Sequence, residues 1–258
     1  MTLQIGWLST GRDEAAIKLL RYVHDGITSG DIDAEIAYVF SNRENGEDLN
    51  SDRFFAAVRG LGIELRQLSS QNYKAEMKKV AKDKWRRKYH SEVMNMLGNN
   101  TDIELMAGYM LILPPEMCQS KNCINLHPDL PGRYAGTWEE VIHQVIKNRA
   151  TEAGAMIHLA TNELDRGPPI TFCKFPLRGG SWNEHWEGGG DELFSKIRNA
   201  GVARELPLIY QTVKAFADGR VGIKDKQVYA GDKTVEGGYD VSAEVEEVVR
   251  KESSGVLT

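Results

Sequence analysis

The sequence predicts an α/β protein: a mostly parallel sheet flanked by helices, with a small hairpin and helix appended at the C-terminus. Three observations predict it. Apolar segments of strand length alternate with helical patterns from Leu3 to Leu65, the signature of strands joined by crossover helices. The chain of 258 residues is 41% hydrophobic and 27% charged, ordinary globular usage with enough apolar surface for a large core. No internal repeat and no long linker interrupts it.

The elements follow in order. Leu3–Leu8 reads as a buried first strand ending in the hydroxyl-rich turn Ser9-Thr-Gly-Arg12. Ala15, Ala16, Leu19, Leu20 and Val23 have helical spacing. Ala34–Phe40 is a second strand, Arg53–Arg59 a helix and Ile63–Leu65 a short strand. Tyr73–Leu97 reads as one long helix carrying Lys78, Lys79, Lys82, Lys84, Arg86, Arg87 and Lys88. With a formal net charge of −5 for the whole chain, this stretch reads as a solvated face rather than a phosphate or nucleic-acid patch. Strands are expected at Ile103–Met110 and Cys123–His127, a helix at Trp138–Asn148, and strands at Ala155–Ala160 and Ile170–Phe175. The Gly/Trp-rich segment Arg178–Gly190 reads as a loop, either a lid with glycine hinges or a packed surface loop. Helices are expected at Asp191–Asn199 and Leu206–Asp218, a hairpin around Val221–Tyr229, and an acidic helix at Val241–Arg250. The expected organisation is one domain, 1–220, with 221–258 as a dependent appendage.

Composition excludes several classes. Three cysteines argue against a disulfide framework and for a reducing, cytoplasmic setting. The longest apolar run, Met106–Leu113, falls far short of the about 20 residues a bilayer requires, and the N-terminus lacks a basic region before an apolar stretch. Neither membrane nor nucleic acid is an expected partner.

Chemistry concentrates at Asn125-Leu-His127-Pro. Residues two apart on a strand face the same side, and the proline restricts His127 to extended geometry. A carboxamide and an imidazole at the carboxyl end of a parallel strand lie where open α/β sheets bind ligands. One can hold an oxyanion while the other moves a proton; the bland alternative is a core histidine beside a turn-forming asparagine. Asp165, in the turn Glu163-Leu-Asp-Arg-Gly-Pro168, could fix the histidine's tautomer, or serve as an ordinary turn residue. Cys118 and Cys123 lack the company of a zinc site and read as buried thiols, and no metal is expected.

Three blocks carry a family resemblance. Asn125-Leu-His-Pro-Asp-Leu-Pro-Gly-Arg-Tyr-Ala-Gly136 resembles the Asn-x-His-Pro-Ser-Leu-Leu-Pro-x-Tyr-x-Gly signature of the 10-formyltetrahydrofolate-dependent formyltransferases. Met106-Ala-Gly-Tyr-Met-Leu-Ile-Leu113 resembles the loop after their central strand, and Thr161-Asn-Glu-Leu-Asp-Arg-Gly-Pro-Pro-Ile170 resembles their Thr-x-Glu-x-Asp-x-Gly-x-Ile turn. The resemblance spans about Leu3 to Arg220, with the blocks in family order, and in length is closest to the branch acting on glycinamide ribonucleotide. It implies a Rossmann-like fold and formyl transfer from 10-formyltetrahydrofolate to an amine, with Asn125, His127 and Asp165 catalytic. It also implies a folate site at Met110, Leu111, Leu113, Ala160, Thr161, Asn162 and Glu163, and an acceptor site at Thr10, Gly11 and Arg12. A homodimer is compatible with it.

Three departures concern substrate contacts. The acceptor-contacting glutamate of the family's late helix has no clear match in Gly201-Val-Ala-Arg-Glu-Leu-Pro207, where Glu205 is displaced. Ser9-Thr-Gly-Arg-Asp-Glu14 stands where the branch has the phosphate-holding Ser-Gly-x-Gly-Ser-Asn, and Leu111 stands where an arginine is common beside the folate. Alternatives are therefore formyl transfer to another amine such as an amino sugar on a nucleotide, hydrolysis of 10-formyltetrahydrofolate, or folate binding without transfer.

Overall fold

The computed structural model describes residues 1–188 and 190–254. Gly189 of the Gly/Trp-rich segment and residues 255–258 of the C-terminal appendage lie outside them. The chain divides into two compact units, Met1–Asn125 with Ala160–Asn162, and Leu126–Leu159 with Glu163–Thr258.

The first unit runs β1 (Leu3–Leu8), α1 (Glu14–Thr28), β2 (Ala34–Ser41), α2 (Leu49–Gly60), β3 (Leu65–Gln67), α3 (Ala75–Val80), α4 (Lys82–Leu97), β4 (Ile103–Met106), α5 (Pro115–Ser120) and β5 (Cys123–His127), the last two residues of β5 belonging to the second unit. Its strands pair in the order β3-β2-β1-β4-β5, every pair parallel. Such a sheet is covered on both faces, and Ile5, Trp7, Leu8, Tyr38, Phe40, Ile103 and Leu105 are all buried. Asp13 and Asp48 cap α1 and α2, accepting from the amides of Ala16 and of Asn50 and Ser51.

The buried Glu104 carboxylate accepts from Tyr38 Oη at 2.8 Å and Thr101 Oγ1 at 2.7 Å, with Lys121 Nζ at 3.5 Å. Gly6 leaves it room: a Cβ there would overlap the Glu104 carboxylate.

Three expectations are corrected in this unit. The basic segment is two helices, broken at Ala81 with φ −147°; the break lets the Trp85 indole donate to the Tyr73 carbonyl at 2.7 Å. The strand expected to reach Met110 stops at Met106, because the chain turns at Gly108, whose φ is +75°. The short third strand begins at Leu65 rather than Ile63.

The second unit runs α6 (Trp138–Lys147), β6 (Glu152–Leu159), β7 (Pro169–Pro176), α7 (Trp182–Gly188), α8 (Gly190–Ala217), β8 (Gly222–Lys224), β9 (Gln227–Ala230), β10 (Lys233–Thr234), β11 (Tyr239–Asp240) and α9 (Ser242–Ser253). β6 and β7 pair antiparallel, β11 adds parallel to β7, and β10-β9-β8 form a separate antiparallel sheet. A capping box at Thr137 and Glu140 starts α6. Its apolar face, Val141, Ile142 and Val145, joins Phe175, Leu177, Leu193 and Ile197 in one core. Gly154 is required where it stands, since a Cβ would strike the Cys173 carbonyl and Leu130.

Here the two helices expected around Pro207 form one, α8, with the proline inside it. Proline removes one backbone donor, and burial of Leu208, Ile209, Thr212 and Val213 just beyond it holds the helix together. The Gly/Trp-rich segment contains α7, packed against the core: Trp186 Nε1 donates to the Leu177 carbonyl at 2.6 Å, and Trp182 stacks on Phe175 with ring centroids 6.4 Å apart. The loop expected there is therefore corrected to a helix over Trp182–Gly188, with both indoles packed. No described helix is long and apolar enough to cross a membrane.

Candidate active site

In the second unit, His127 ends β5, where Pro128 stops the strand. The imidazole is buried, and Nε2 lies 2.8 Å from the carbonyl oxygen of Tyr134. A carbonyl only accepts, so Nε2 carries the hydrogen and the neutral ring presents its lone pair at Nδ1. That lone pair faces Asp165, with Nδ1 3.7 Å from Oδ2. The geometry thus fixes the tautomer and places the atom able to take a proton beside a carboxylate.

Asp165 is held in the left-handed region, φ +56°. Aspartate tolerates that conformation better than most residues, and here it aims the carboxylate between two imidazoles. The second is His158 on β6: its Nε2 lies 3.8 Å from Asp165 Oδ1, and its Nδ1 lies 3.2 Å from the Leu159 carbonyl. The two rings are nearly perpendicular, centroids 6.4 Å apart. Burial holds the His158 imidazole below its ordinary pKa, opposed by the Leu159 carbonyl and the Asp165 charge. His158 Nε2 has no close hydrogen-bond partner among the described residues.

Behind His127 a further carboxylate sets the backbone. Asp129 Oδ2 accepts from the Tyr134 amide at 2.7 Å, so the peptide whose carbonyl holds His127 is itself pinned by Asp129. Burial pushes the Asp129 carboxyl up, against the opposing pull of the Tyr134 amide and the Arg133 charge. Neither His158 nor Asp129 was expected from the sequence as a site residue. The available signal was weak: a histidine inside the apolar run Ala155-Met-Ile-His-Leu-Ala160, and an acid directly after His127-Pro128. A cavity of about 700 Å³ adjoins this turn; Tyr134, Asp165 and Arg166 line one part of it, and Lys226, Val228 and Glu236 another. That volume suits a small-molecule ligand.

The first unit holds the other expected residues. Asn125 sits on β5 opposite Met106 of β4; it is half-buried, and its carboxamide makes no hydrogen bond among the described residues. The segment after β4 leaves Met110 and Ile112 more than half exposed, at 57% and 54%, while Leu113 is buried and Leu111 half-buried against a core containing Tyr109, Trp85 and Tyr89. Ala160 donates its amide to the Cys123 carbonyl at 2.7 Å, so Thr161 and Asn162 leave from a fixed point beside β5. Glu163 begins the Asp165 turn, where the Arg166 amide returns to its carbonyl at 3.3 Å.

The Ser9–Arg12 loop satisfies itself. Thr10 Oγ1 donates to Asn42 Oδ1 at 2.7 Å and accepts from the Met110 amide at 3.2 Å, while the Gly11 amide donates to Ser9 Oγ at 3.2 Å. Arg12 is exposed and pairs with Asp13 at 3.5 Å. Cys118, Cys123 and Cys173 are buried thiols, and burial pushes Cys173 up to about 12.

Comparison with known proteins gives the same family as the three sequence blocks. Over 218 residues the chain is 28% identical to a phosphoribosylglycinamide formyltransferase of Haemophilus influenzae, covering 84% of this chain and 90% of that protein. Among solved structures, a phosphoribosylglycinamide formyltransferase from Coxiella burnetii superposes with TM-score 0.68 at 19% identity, covering 93% of this chain and 99% of that one. A formyltetrahydrofolate deformylase from Pseudomonas syringae superposes with TM-score 0.63 at 20% identity, covering 90% and 67%. These likenesses share the mostly parallel, helix-flanked sheet. The sequence profile described as formyl transferase matches residues 15–178, well over half of the chain. The chain belongs to the formyl transferase family.

Proposed function

We propose that the protein transfers the formyl group of 10-formyltetrahydrofolate to the amino group of glycinamide ribonucleotide. The observation that carries this reading is the His127–Asp165 pair, in which the Tyr134 carbonyl commits Nε2 and turns Nδ1 toward the carboxylate. The acceptor nitrogen attacks the formyl carbon, forming a C–N bond and a tetrahedral oxyanion. Collapse breaks the bond from carbon to N10 of the folate. Overall the acceptor amine loses one proton and N10 gains one.

Asn125, whose amide is unengaged, donates to the oxyanion. His127 takes the amine's proton at Nδ1 while Asp165 steadies the charge that forms, and an ordered water relays the proton to N10. Met110, Leu111 and Leu113 hold the pterin through apolar contact and backbone groups, and Ala160, Thr161, Asn162 and Glu163 contribute further contacts to the folate. Arg12, the exposed cation of the first loop, takes the acceptor's phosphate, and Thr10 and Gly11 shape that loop. The exposure of Met110 and Ile112 supports a ligand that covers them.

One observation favours a second reading, formyl transfer to a different amine such as an amino sugar on a nucleotide. Thr10 Oγ1 and the Gly11 amide are already engaged, and Asp13 caps α1. That loop therefore offers a phosphate fewer donors than an unengaged one would.

The test is a His127→Ala variant examined for folate binding by calorimetry and for transfer by absorbance. Folate binding retained with transfer lost supports the reading. Transfer at the wild-type rate would refute it.

A further inference from the structure

Two hydrogen bonds of Thr10 reach past its own loop to the donor segment of the same unit. Its amide donates to the Gly108 carbonyl at 3.1 Å, and its Oγ1 accepts from the Met110 amide at 3.2 Å. One buried residue thus grips the chain on both sides of Tyr109. Just before that point the Ala107 amide donates to the Leu8 carbonyl at 2.8 Å. The turn out of β4 is therefore moulded on the end of β1 and the two residues that follow it.

The Thr10 hydroxyl can serve Met110 in only one sense. Asn42 Nδ2 donates to Ser70 Oγ at 3.2 Å, which turns the carboxamide oxygen toward Thr10. That oxygen only accepts, so it takes the Thr10 hydroxyl hydrogen, at 2.7 Å, and a lone pair is left for the Met110 N–H. Thr10, Asn42 and Ser70 are all buried, and in a buried chain of hydrogen bonds each member strengthens the next.

Beyond Met110 the main chain loses such support. Neither Leu111 nor Ile112 makes a backbone hydrogen bond among the described residues, and the Met110 and Ile112 side chains are exposed. Leu111 and Leu113 pack against the core, and the Tyr109 hydroxyl lies 3.3 Å from His90 Nε2. Those contacts hold side chains. The direction of the open peptide groups is set at the last fixed peptide, whose N–H Thr10 holds. A hydrogen bond weakens steeply off its axis, so a ligand that pairs with peptide groups depends on that direction.

We infer that Thr10 is a positioning residue for the formyl donor: its hydroxyl fixes the Met110 peptide, and through it the backbone that meets the folate. This rests on the proposed donor site at Met110–Leu113. It moves Thr10, expected in the acceptor site, to the donor side.

The experiment compares wild type with Thr10→Val, which keeps the branched shape and removes the hydroxyl, and with Thr10→Ser, which keeps the hydroxyl. Calorimetry measures binding of a 10-formyl folate analogue to the full chain without acceptor, and absorbance kinetics give KM for the analogue and for glycinamide ribonucleotide. Thr10→Val is expected to bind the analogue about tenfold more weakly, the scale of one lost buried hydrogen bond, with the acceptor KM unchanged. Thr10→Ser, with the bond kept, is expected within about twofold of wild type. Asn42→Ala leaves the Thr10 hydroxyl free to rotate and is expected to weaken the analogue about threefold. Unchanged affinity for the analogue in a folded Thr10→Val overturns the inference and leaves the proposed function standing. An equal rise in both KM values also overturns it, because it marks a general loosening of the first loop. If circular dichroism shows Thr10→Val misfolded, Asn42→Ala decides, and unchanged affinity there overturns the inference. If wild type binds no analogue, the donor-site reading fails and the inference fails with it. Donor binding is read without acceptor, so a failure of glycinamide ribonucleotide as acceptor leaves that arm decisive.

Discussion

The turn around Asp165 and the loop Ser9–Arg12 are built on opposite principles. In the loop nearly every polar group is spent internally: Thr10 on Asn42 and the Met110 amide, Gly11 on Ser9, Asp13 on the end of α1. In the turn the polar groups are held but not consumed. Asp165 adopts a left-handed backbone, His127 Nδ1 and His158 Nε2 face its carboxylate at 3.7 and 3.8 Å, and a carboxyl oxygen of Asp129 is left without a hydrogen-bond partner among the described residues. Unspent buried donors and acceptors cost stability, and strain of this kind collects where a ligand or reaction uses it. On the proposed function, the difference means that the turn is organised for proton chemistry and the loop for shape.

The comparison can be broken by substitution, beginning with the largest effect. His127→Ala is expected to lower kcat about a thousandfold, within the range of lost acid–base catalysis, with folate affinity retained; steady-state kinetics and calorimetry check it. A loss below tenfold would remove the turn from the chemistry.

Stability offers a control outside both regions. His90, buried in α4, is held down to about 4, chiefly by burial. Its folded pKa lies below that of the unfolded chain, so the unfolded state binds the proton first, and stability is lost as pH falls from the ordinary histidine value toward 4. Between pH 7 and pH 5 this amounts to about 2 kcal/mol. Urea unfolding of wild type and His90→Gln at the two pH values should show the variant lacking that loss.

Arg12→Ala sharpens the other side of the comparison. It is expected to raise the acceptor KM about tenfold, as for the loss of one charge-assisted anion contact, with kcat little changed. An unchanged KM would mean that the loop holds no phosphate and would favour the second acceptor reading.

The smallest effect concerns the carboxylate behind His127. Burial raises the Asp129 carboxyl, so the folded state favours its neutral form, and ionisation costs stability as pH rises through that raised value. Asp129→Asn removes the charge and keeps an acceptor for the Tyr134 amide. It is expected to be more stable than wild type by about 1 kcal/mol at neutral pH, the gain vanishing in acid; thermal unfolding across pH checks it.

Much of this was legible in the sequence. The strand–helix alternation, the Asn125-Leu-His127-Pro spacing and the Asp165 turn are local patterns, and local patterns survive in one dimension. His158 was not legible, because a histidine in an apolar strand acquires meaning only when β6 brings it to Asp165. Nor was Asp129, whose effect on His127 passes through the Tyr134 peptide. The break at Ala81 lies among residues that all favour helix, and is imposed by the anchoring of Trp85 and Tyr89. Continuity of α8 through Pro207 runs against proline's local preference, and burial of the following turn overrides it.

The central claim is that the unspent groups at the turn serve transfer to an amine. The most direct measurement follows deformylation of a 10-formyl folate analogue by absorbance, with glycinamide ribonucleotide present or absent. The account predicts release that depends on the nucleotide and disappears in His127→Ala. Release at the same rate without any acceptor would contradict it and make the protein a hydrolase.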